Sequence, residues 1–307
     1  MRKKRSTYKL FLACSLCFAS TNFYTQSLQD YFPLKLFFAN DEPNPRSFAT
    51  RTTLSYSETY KSYEQKFLDY QKQGEYFDVL VENEIIPNYQ KLKGLKQTLV
   101  DTLLTGKRVV LQVKGFASPL HHTDYNVNIS KRRISSFVNE LSSNKELHTF
   151  LKNGKLIIEE LPFGEYATNP DANDQLDSLN LSVYHINASY ERRVEVEHIL
   201  ILPDSAAYLG ASTTYFNAAK TSMGSKIKVD FPVTNLGYSD LTIQRIAVSC
   251  GCSIADIQQD SLKAGESTIL RVEVDTNELA LGKDAKSITV FYNNGLSKRF
   301  VVLVEVE

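Results

Sequence analysis

The hydrophobic period of this chain changes once, after Pro203, and that change does most to limit what it can fold into. Upstream, apolar residues recur at helical steps. Leu92, Leu95, Leu99 and Leu103 share one face, as do Ile134, Phe137, Val138 and Leu141. From about residue 210 the step becomes two. Ile227, Val229, Phe231 and Val233 alternate with polar or charged partners, and Leu270, Val272, Val274 and Ile288, Val290, Tyr292 do the same. Asn235-Leu-Gly, Ala264-Gly-Glu and Asn293-Asn-Gly punctuate these runs as turns. A helix and a strand repeat their faces at different intervals, so one element cannot satisfy both patterns. The chain is therefore expected to hold two modules joined by a linker at residues 203–212, with the second module over 213–307.

The upstream module reads as strand at Phe32 to Phe38, then turn chemistry at Asn40-Asp-Glu-Pro-Asn-Pro45. That turn carries two carboxylates without the regular oxygen spacing of a calcium loop, so it reads as solvated turn. Tyr56, Tyr60, Tyr63, Phe67 and Tyr70 step by four and three along one predicted helix, an aromatic seam better suited to packing than to stacking a sugar. Pro87 is expected to open a further helix and Gly106 to stop it. Val109 to Val113 follows as a strand running into Gly115, then a polar loop, then a helix opening near Asn126 to Ser130. Arg132 and Arg133 would fall in its first turn, where the helix dipole disfavours cations lacking an anionic partner. Lys155 to Leu161 reads as strand, Asn173 to Arg192 as helix, and Val194, Val196 and His198 as a last alternating strand. The order β-α-α-β-α-β-α-β predicts an α/β sandwich with helices on one sheet face. The downstream module, about seven short strands in about 100 residues, predicts an immunoglobulin-like sandwich. The fold class is α+β.

Thirty-five basic and 35 acidic side chains cancel. No global field recruits nucleic acid or an anionic membrane, so any charge-driven contact is local. The amino terminus, Met-Arg-Lys-Lys-Arg followed by an apolar Leu10 to Ala19, reads as an export signal over residues 1–20. Its apolar core is too short to span a bilayer. Acylation at Cys14 is the alternative, although only four apolar residues precede it. Loss of the signal leaves Cys250 and Cys252, too few for a disulfide framework. A bridge between alternate residues of an extended strand would be strained. Free, buried or partner-facing thiols are expected there, and metal or redox chemistry is not. Gly-x-Ser-x-Gly, His-Glu-x-x-His and phosphate-cradling glycine loops are absent from the sequence. His121-His122 before Asp124 has metal-binding residue types, but adjacent side chains diverge. Neither catalytic residues nor a metal or cofactor are expected, and the chain reads as non-enzymatic.

Asn126-Val-Asn-Ile-Ser130-Lys-Arg-Arg133-Ile and Glu191-Arg-Arg193-Val-Glu-Val carry a family resemblance. With the order of elements, residues 32–202 resemble the OmpA-like C-terminal domain, a periplasmic module of Gram-negative bacteria that holds peptidoglycan. A helical segment, about residues 54–90, is inserted between the first strand and the Leu92 helix. In that family an aspartate and the helix arginine grip the diaminopimelate of the stem peptide, carboxylate to ammonium and guanidinium to carboxylate. Arg133 matches the arginine, whereas Gly115-Phe-Ala-Ser118 has serine in place of the aspartate. Asp124 lies on the same loop but aligns elsewhere. The resemblance thus implies a peptidoglycan-facing set of Ser118, Asp124, Asn126, Arg133 and Arg193, with half the clamp missing. A salt bridge within the fold would equally account for Arg133, and Arg192 and Arg193 suit bracing. Anchoring requires that the Arg133 guanidinium be presented free of internal partners at a small groove.

Leu241-Thr-Ile-Gln-Arg-Ile-Ala-Val-Ser249-Cys-Gly-Cys252, with Asn235-Leu-Gly237 and Ala264-Gly-Glu266, is similar to Ig-like modules of unknown function marked by a Ser-Cys-Gly-Cys tetrapeptide. The two resemblances together imply an exported cell-envelope protein of the periplasm or outer membrane. Its partners would be peptidoglycan or envelope proteins, not nucleic acid. The alternative is a structural module of an outer-membrane assembly that no longer binds the wall.

Overall fold

The computed structural model describes residues 27–166, 171–172, 178 and 182–307, apart from the His198 side chain. The expected export signal and much of the helix expected from Asn173 lie outside these residues. Within them the chain is α+β, a helix-covered sheet followed by a pair of sheets. The first part runs β1 (Leu34–Phe37), α1 (Tyr56–Glu64), α2 (Phe67–Gln73), α3 (Phe77–Leu80), α4 (Ile86–Leu104), β2 (Lys107–Phe116) and α5 (Thr123–Ser142). It continues through α6 (Lys145–Lys152), β3 (Leu156–Gly164), α7 (Ile186–Glu191) and β4 (Arg193–Pro203).

These strands form one sheet in the order β1-β4-β2-β3, with β2 and β3 parallel and the other pairs antiparallel. Strand alternation divides the side chains between two faces. Val109, Leu111 and Val113 pack beneath the helices, while Val110 turns to the opposite face with Leu200 and Leu202. On β4 the helix-facing positions shift phase, from Val194 and Val196 to Ile199 and Ile201, because the register slips by one opposite Gln112 and Val113. Ile134, Phe137 and Leu141 of α5 are fully buried in the same core, as the helical period predicts. Gly115 makes the close approach of β2 to α5 feasible: a Cβ there would lie 2.6 Å from the Ser130 carbonyl oxygen.

Several expectations are corrected. The aromatic seam is two helices, not one. The turn at Gln65 and Lys66 redirects the chain so that Tyr60 stacks on Tyr89 at 3.9 Å while Tyr70 meets Phe77 and Tyr184. Tyr56, Tyr60, Tyr63 and Tyr70 are nonetheless core residues. Pro87 lies in the first turn of α4, as expected, but α4 has no break before it: helical bonding runs from Phe77 through a π turn at Val81–Ile85. The widened turn just ahead accommodates a residue with no N–H to donate. Gly106, at φ +81°, does stop α4. Among the described residues of the expected Asn173–Arg192 helix, only Ile186–Glu191 is helical.

After Pro203 come β5 (Leu209–Ala211), β6 (Tyr215–Thr221), β7 (Lys226–Asn235), β8 (Leu241–Val248), β9 (Ser253–Ile257) and β10 (Ser261–Leu262). β11 (Ser267–Asp275), β12 (Gly282–Tyr292) and β13 (Leu296–Val306) complete the chain. Two sheets, β10-β8-β12-β13-β6 and β5-β7-β11-β9, share a core of Phe231, Val233, Leu270, Ile288, Val290, Phe300 and their neighbours. Nine strands replace the expected seven or so, and β5 lies inside the stretch expected as linker, pairing with β7. The free-thiol expectation is also corrected: Cys250 and Cys252 are disulfide-bonded. They stand on a turn between β8 and β9, not along an extended strand, and the turn brings their Cα atoms to 5.2 Å.

The two parts bury residues against each other. Phe116, Val127, Leu161, Phe163 and Tyr166 pack on Val301 and Leu303. Beside them, Lys298 of β13 pairs with Glu159 of β3 at 2.7 Å, and the Tyr208 hydroxyl donates to the same carboxylate at 2.8 Å.

Candidate functional site

α5 opens at Thr123, before the expected start, so Arg132 and Arg133 lie in its third turn. The dipole of the first turn no longer bears on them. What surrounds them is decided instead by β1 and the turn after it. The Arg133 side chain runs across the Phe38 ring at 5.4 Å, and the residue is 1 % exposed. Its Nε donates to the Glu42 carbonyl at 3.0 Å and its Nη1 to the Phe116 carbonyl at 2.7 Å. The guanidinium is thus held by backbone, not presented free as anchoring was expected to require. It forms no ion pair with a carboxylate among the described residues.

Arg133 still lines a cavity, a small one of about 60 Å³, together with Ser118, Asn126, Asn40, Asp41 and Tyr125. Ser118 and Asn126 are buried, and the Asn126 amide donates to the His121 carbonyl at 2.8 Å. Three of the five expected residues therefore meet at one cavity.

Asp124 does not join them. It lines a separate groove with His121, His122, Lys220 and Glu305, and accepts from Asn217 at 3.4 Å. Arg193 does not either. It packs over the Phe116 ring at 4.2 Å and pairs with Glu195 at 3.1 Å and Glu191 at 3.3 Å, which makes it a brace.

Asp41 is the residue that sequence reasoning missed. Its carboxylate accepts the Tyr125 hydroxyl and the Arg46 amide and lies 3.8 Å from Arg132. The turn holding it has the composition of any solvated loop. Only the register of β1 against β4, Leu34 opposite Val196, brings that turn over α5. A left-handed backbone at Asp41, φ +58°, tolerated by aspartate, completes the placement.

The cavity wall carries one guanidinium, Arg133, and one carboxylate, Asp41, with Arg132 and Arg192 behind it. Burial, reinforced by Arg192 and Arg132, pushes the Arg133 guanidinium down to about 9, with Asp41 opposing the shift. It stays charged at neutral pH. Arg192 is also fully buried; it bonds to the Val183 carbonyl and Ser189 hydroxyl, leaving Nε and Nη1 without partners. Cations gathered this closely, with one nearby carboxylate, favour an incoming anion. Among the described residues no group of three or more His, Cys, Asp or Glu is placed to hold a metal ion. No described helix is long and apolar enough to cross a membrane.

Residues 209–306 match the family described as "Protein of unknown function (DUF1573)", just under a third of the chain. Among curated proteins none matches. Solved structures with a partial likeness include a protein of unknown function from Porphyromonas gingivalis W83, at 20 % identity and TM-score 0.30, over 38 % of this chain and 58 % of that one. The VesB protease of Vibrio cholerae aligns at 17 % identity and TM-score 0.27, over 38 % of each chain. The PapD-like domain 7 of human CEP192 aligns at 10 % identity and TM-score 0.27, over 32 % of this chain and 84 % of that one. This chain spans less than two thirds of the first two.

Proposed function

We propose that this is a non-enzymatic cell-envelope protein whose OmpA-like first part binds peptidoglycan, with an Ig-like sandwich appended. The observation that carries the proposal is the sharing of one cavity by Arg133 and Asp41. The sequence lacks the family aspartate at Ser118, and Asp41 offers a carboxylate to the same cavity from a different strand end. The two carbonyls take Nε and Nη1 of Arg133, and a zwitterionic amino-acid head, such as the free end of diaminopimelate, would set its carboxylate toward the remaining Nη2 and its ammonium toward Asp41. The Cys250–Cys252 disulfide is in keeping with an oxidising compartment and hence with export.

Co-sedimentation with purified sacculi tests this. Wild type is expected to pellet, Asp41→Asn to pellet less, and Ser118→Asp, which restores a carboxylate at the family position, to pellet at least as well. Arg133→Ala should remain in the supernatant while keeping its circular dichroism. Wild type left in the supernatant refutes wall binding. The second reading, a structural module docking envelope proteins after losing wall binding, is favoured by the enclosure of Arg133 and its two carbonyl contacts. No pelleting by any of the folded variants is its expected result.

A further inference from the structure

A larger cleft, about 760 Å³, lies between the two parts of the chain, away from Arg133. Three of the strands that reach it end their sheets: β3 closes one side of the α/β sheet, while β5 and β6 each end a sheet of the sandwich. Ile157 to Glu160 of β3 pair only with β2, and Gly210 and Ala211 only with β7. Strand edges in this state invite a further strand, and proteins ordinarily cover or charge them. Here the Thr214 hydroxyl donates to the Glu160 carbonyl at 2.7 Å and caps one point of the β3 edge.

The charges of the cleft do not cancel. Glu159 is taken by Lys298 and Glu160 by Arg51, at 2.7 and 2.6 Å. Arg108 and Lys131 remain. Lys131 sits over the Tyr215 ring at 5.0 Å and has no carboxylate partner among the described residues. Arg108 is the sharper case, since it is 7 % exposed yet pairs with no described carboxylate. Its Nη1 makes one long contact, 3.4 Å, to the Leu236 carbonyl, and its Nε is buried with no acceptor. A guanidinium enclosed this far is costly without a counter-charge, and an orphaned donor in a cleft wall points to an absent acceptor. The exposed Tyr238 ring lies 5.6 Å from that guanidinium and gives the rim an apolar surface.

We propose that this cleft binds an extended acidic peptide, which adds as a strand to the free edge of β3 and sets carboxylates against Arg108 and Lys131. Backbone pairing supplies length-dependent affinity, and the two cations select for acid. The site is independent of wall binding at Arg133, because none of the residues lining that cavity lines this cleft.

The test is selection from a random linear peptide library on the full chain, followed by titration calorimetry with the best peptide. Enriched peptides should carry at least two Asp or Glu. Arg108→Gln and, separately, Lys131→Glu should weaken binding by roughly tenfold or more, the loss of one charge-assisted contact. Lys131 is half-buried at a helix surface, so its variant keeps the result interpretable if Arg108→Gln unfolds. N-methylation of alternate peptide amides should abolish binding. Failure to enrich any peptide, enrichment of neutral or basic ones, or indifference to Lys131→Glu or N-methylation overturns the proposal. Tighter binding of oligogalacturonate than of the best peptide would make the cleft a glycan site and overturn it too.

Discussion

Replacing Lys298 with methionine should loosen the junction between the two parts of the chain more than any surface change. The substitution keeps an unbranched side chain one atom shorter and removes its charge. Glu159 then keeps the Tyr208 hydroxyl at 2.8 Å and the Gln112 amide at 3.4 Å but loses the ammonium at 2.7 Å. Both charged side chains are buried, at 3 % and 7 % exposure, so solvent cannot take over the lost role. Breaking such a pair from one side costs about 3–5 kcal/mol, because an uncompensated charge stays buried. With a urea slope of about 3 kcal/mol/M, that is a fall of roughly 1–1.7 M in the unfolding midpoint. Glu159→Gln with Lys298→Met removes both charges and still offers Tyr208 an acceptor. The double variant is expected to cost less than the two single changes added together, by a coupling of roughly 1–3 kcal/mol in the double-mutant cycle. Urea titrations of all four proteins, followed by far-ultraviolet circular dichroism, measure it. A loss below about 1 kcal/mol for Lys298→Met, or a double variant that merely adds the two singles, would refute the claim that this pair holds the junction.

Three further outcomes are expected. Burial alone would raise the Glu140 carboxyl, but the Lys96 ammonium at 2.5 Å and the Ser57 amide at 2.9 Å outweigh it and hold it below the usual range. A depressed carboxyl stabilises above its unfolded value of about 4.3 and loses that contribution as pH falls through the folded value; Lys96→Met should therefore move the acid-unfolding midpoint upward, and an unchanged midpoint would count against the pair. Gly115→Ala should lower stability by about 1–3 kcal/mol, since the new methyl meets the Ser130 carbonyl at 2.6 Å and Ile134 at 3.0 Å; thermal melts check it, and a neutral effect would mean that α5 moves freely from β2. Iodoacetamide should label neither Cys250 nor Cys252 until reductant is added, by peptide mass mapping, and labelling at either position in the untreated protein would contradict the bond.

Much of the secondary structure was legible because burial imposes a period on sequence. The Leu92 to Leu103 and Ile134 to Leu141 faces, and the alternation of β7, β11 and β12, were readable for that reason. What failed lay where local cues were silent or competed. Pro87 does sit in the opening turn of α4, but nothing local announces the π turn that joins it to the helix before. Cys250 and Cys252 look like strand residues until the chain is seen to turn at Gly251. In the candidate site, Ser118, Asn126 and Arg133 came from the family resemblance, and they do meet. Asp41 was not legible, because a carboxylate in a turn reads as solvated unless its tertiary neighbours are known.

The sequence alone determined that a helical and a strand-rich part follow one another, divided near Pro203, since side-chain periodicity is a local property of the backbone. Which charges are paired, and which are stranded, only the tertiary structure decided. In the sequence Arg133, Arg108 and Lys298 each read simply as a cation. One is bound by carbonyls, one lacks a counter-ion, and one is matched to Glu159 from the other part of the chain. Those outcomes depend on where strands distant in sequence come to rest, and Coulombic and desolvation energies act on that spacing and depth rather than on order along the chain.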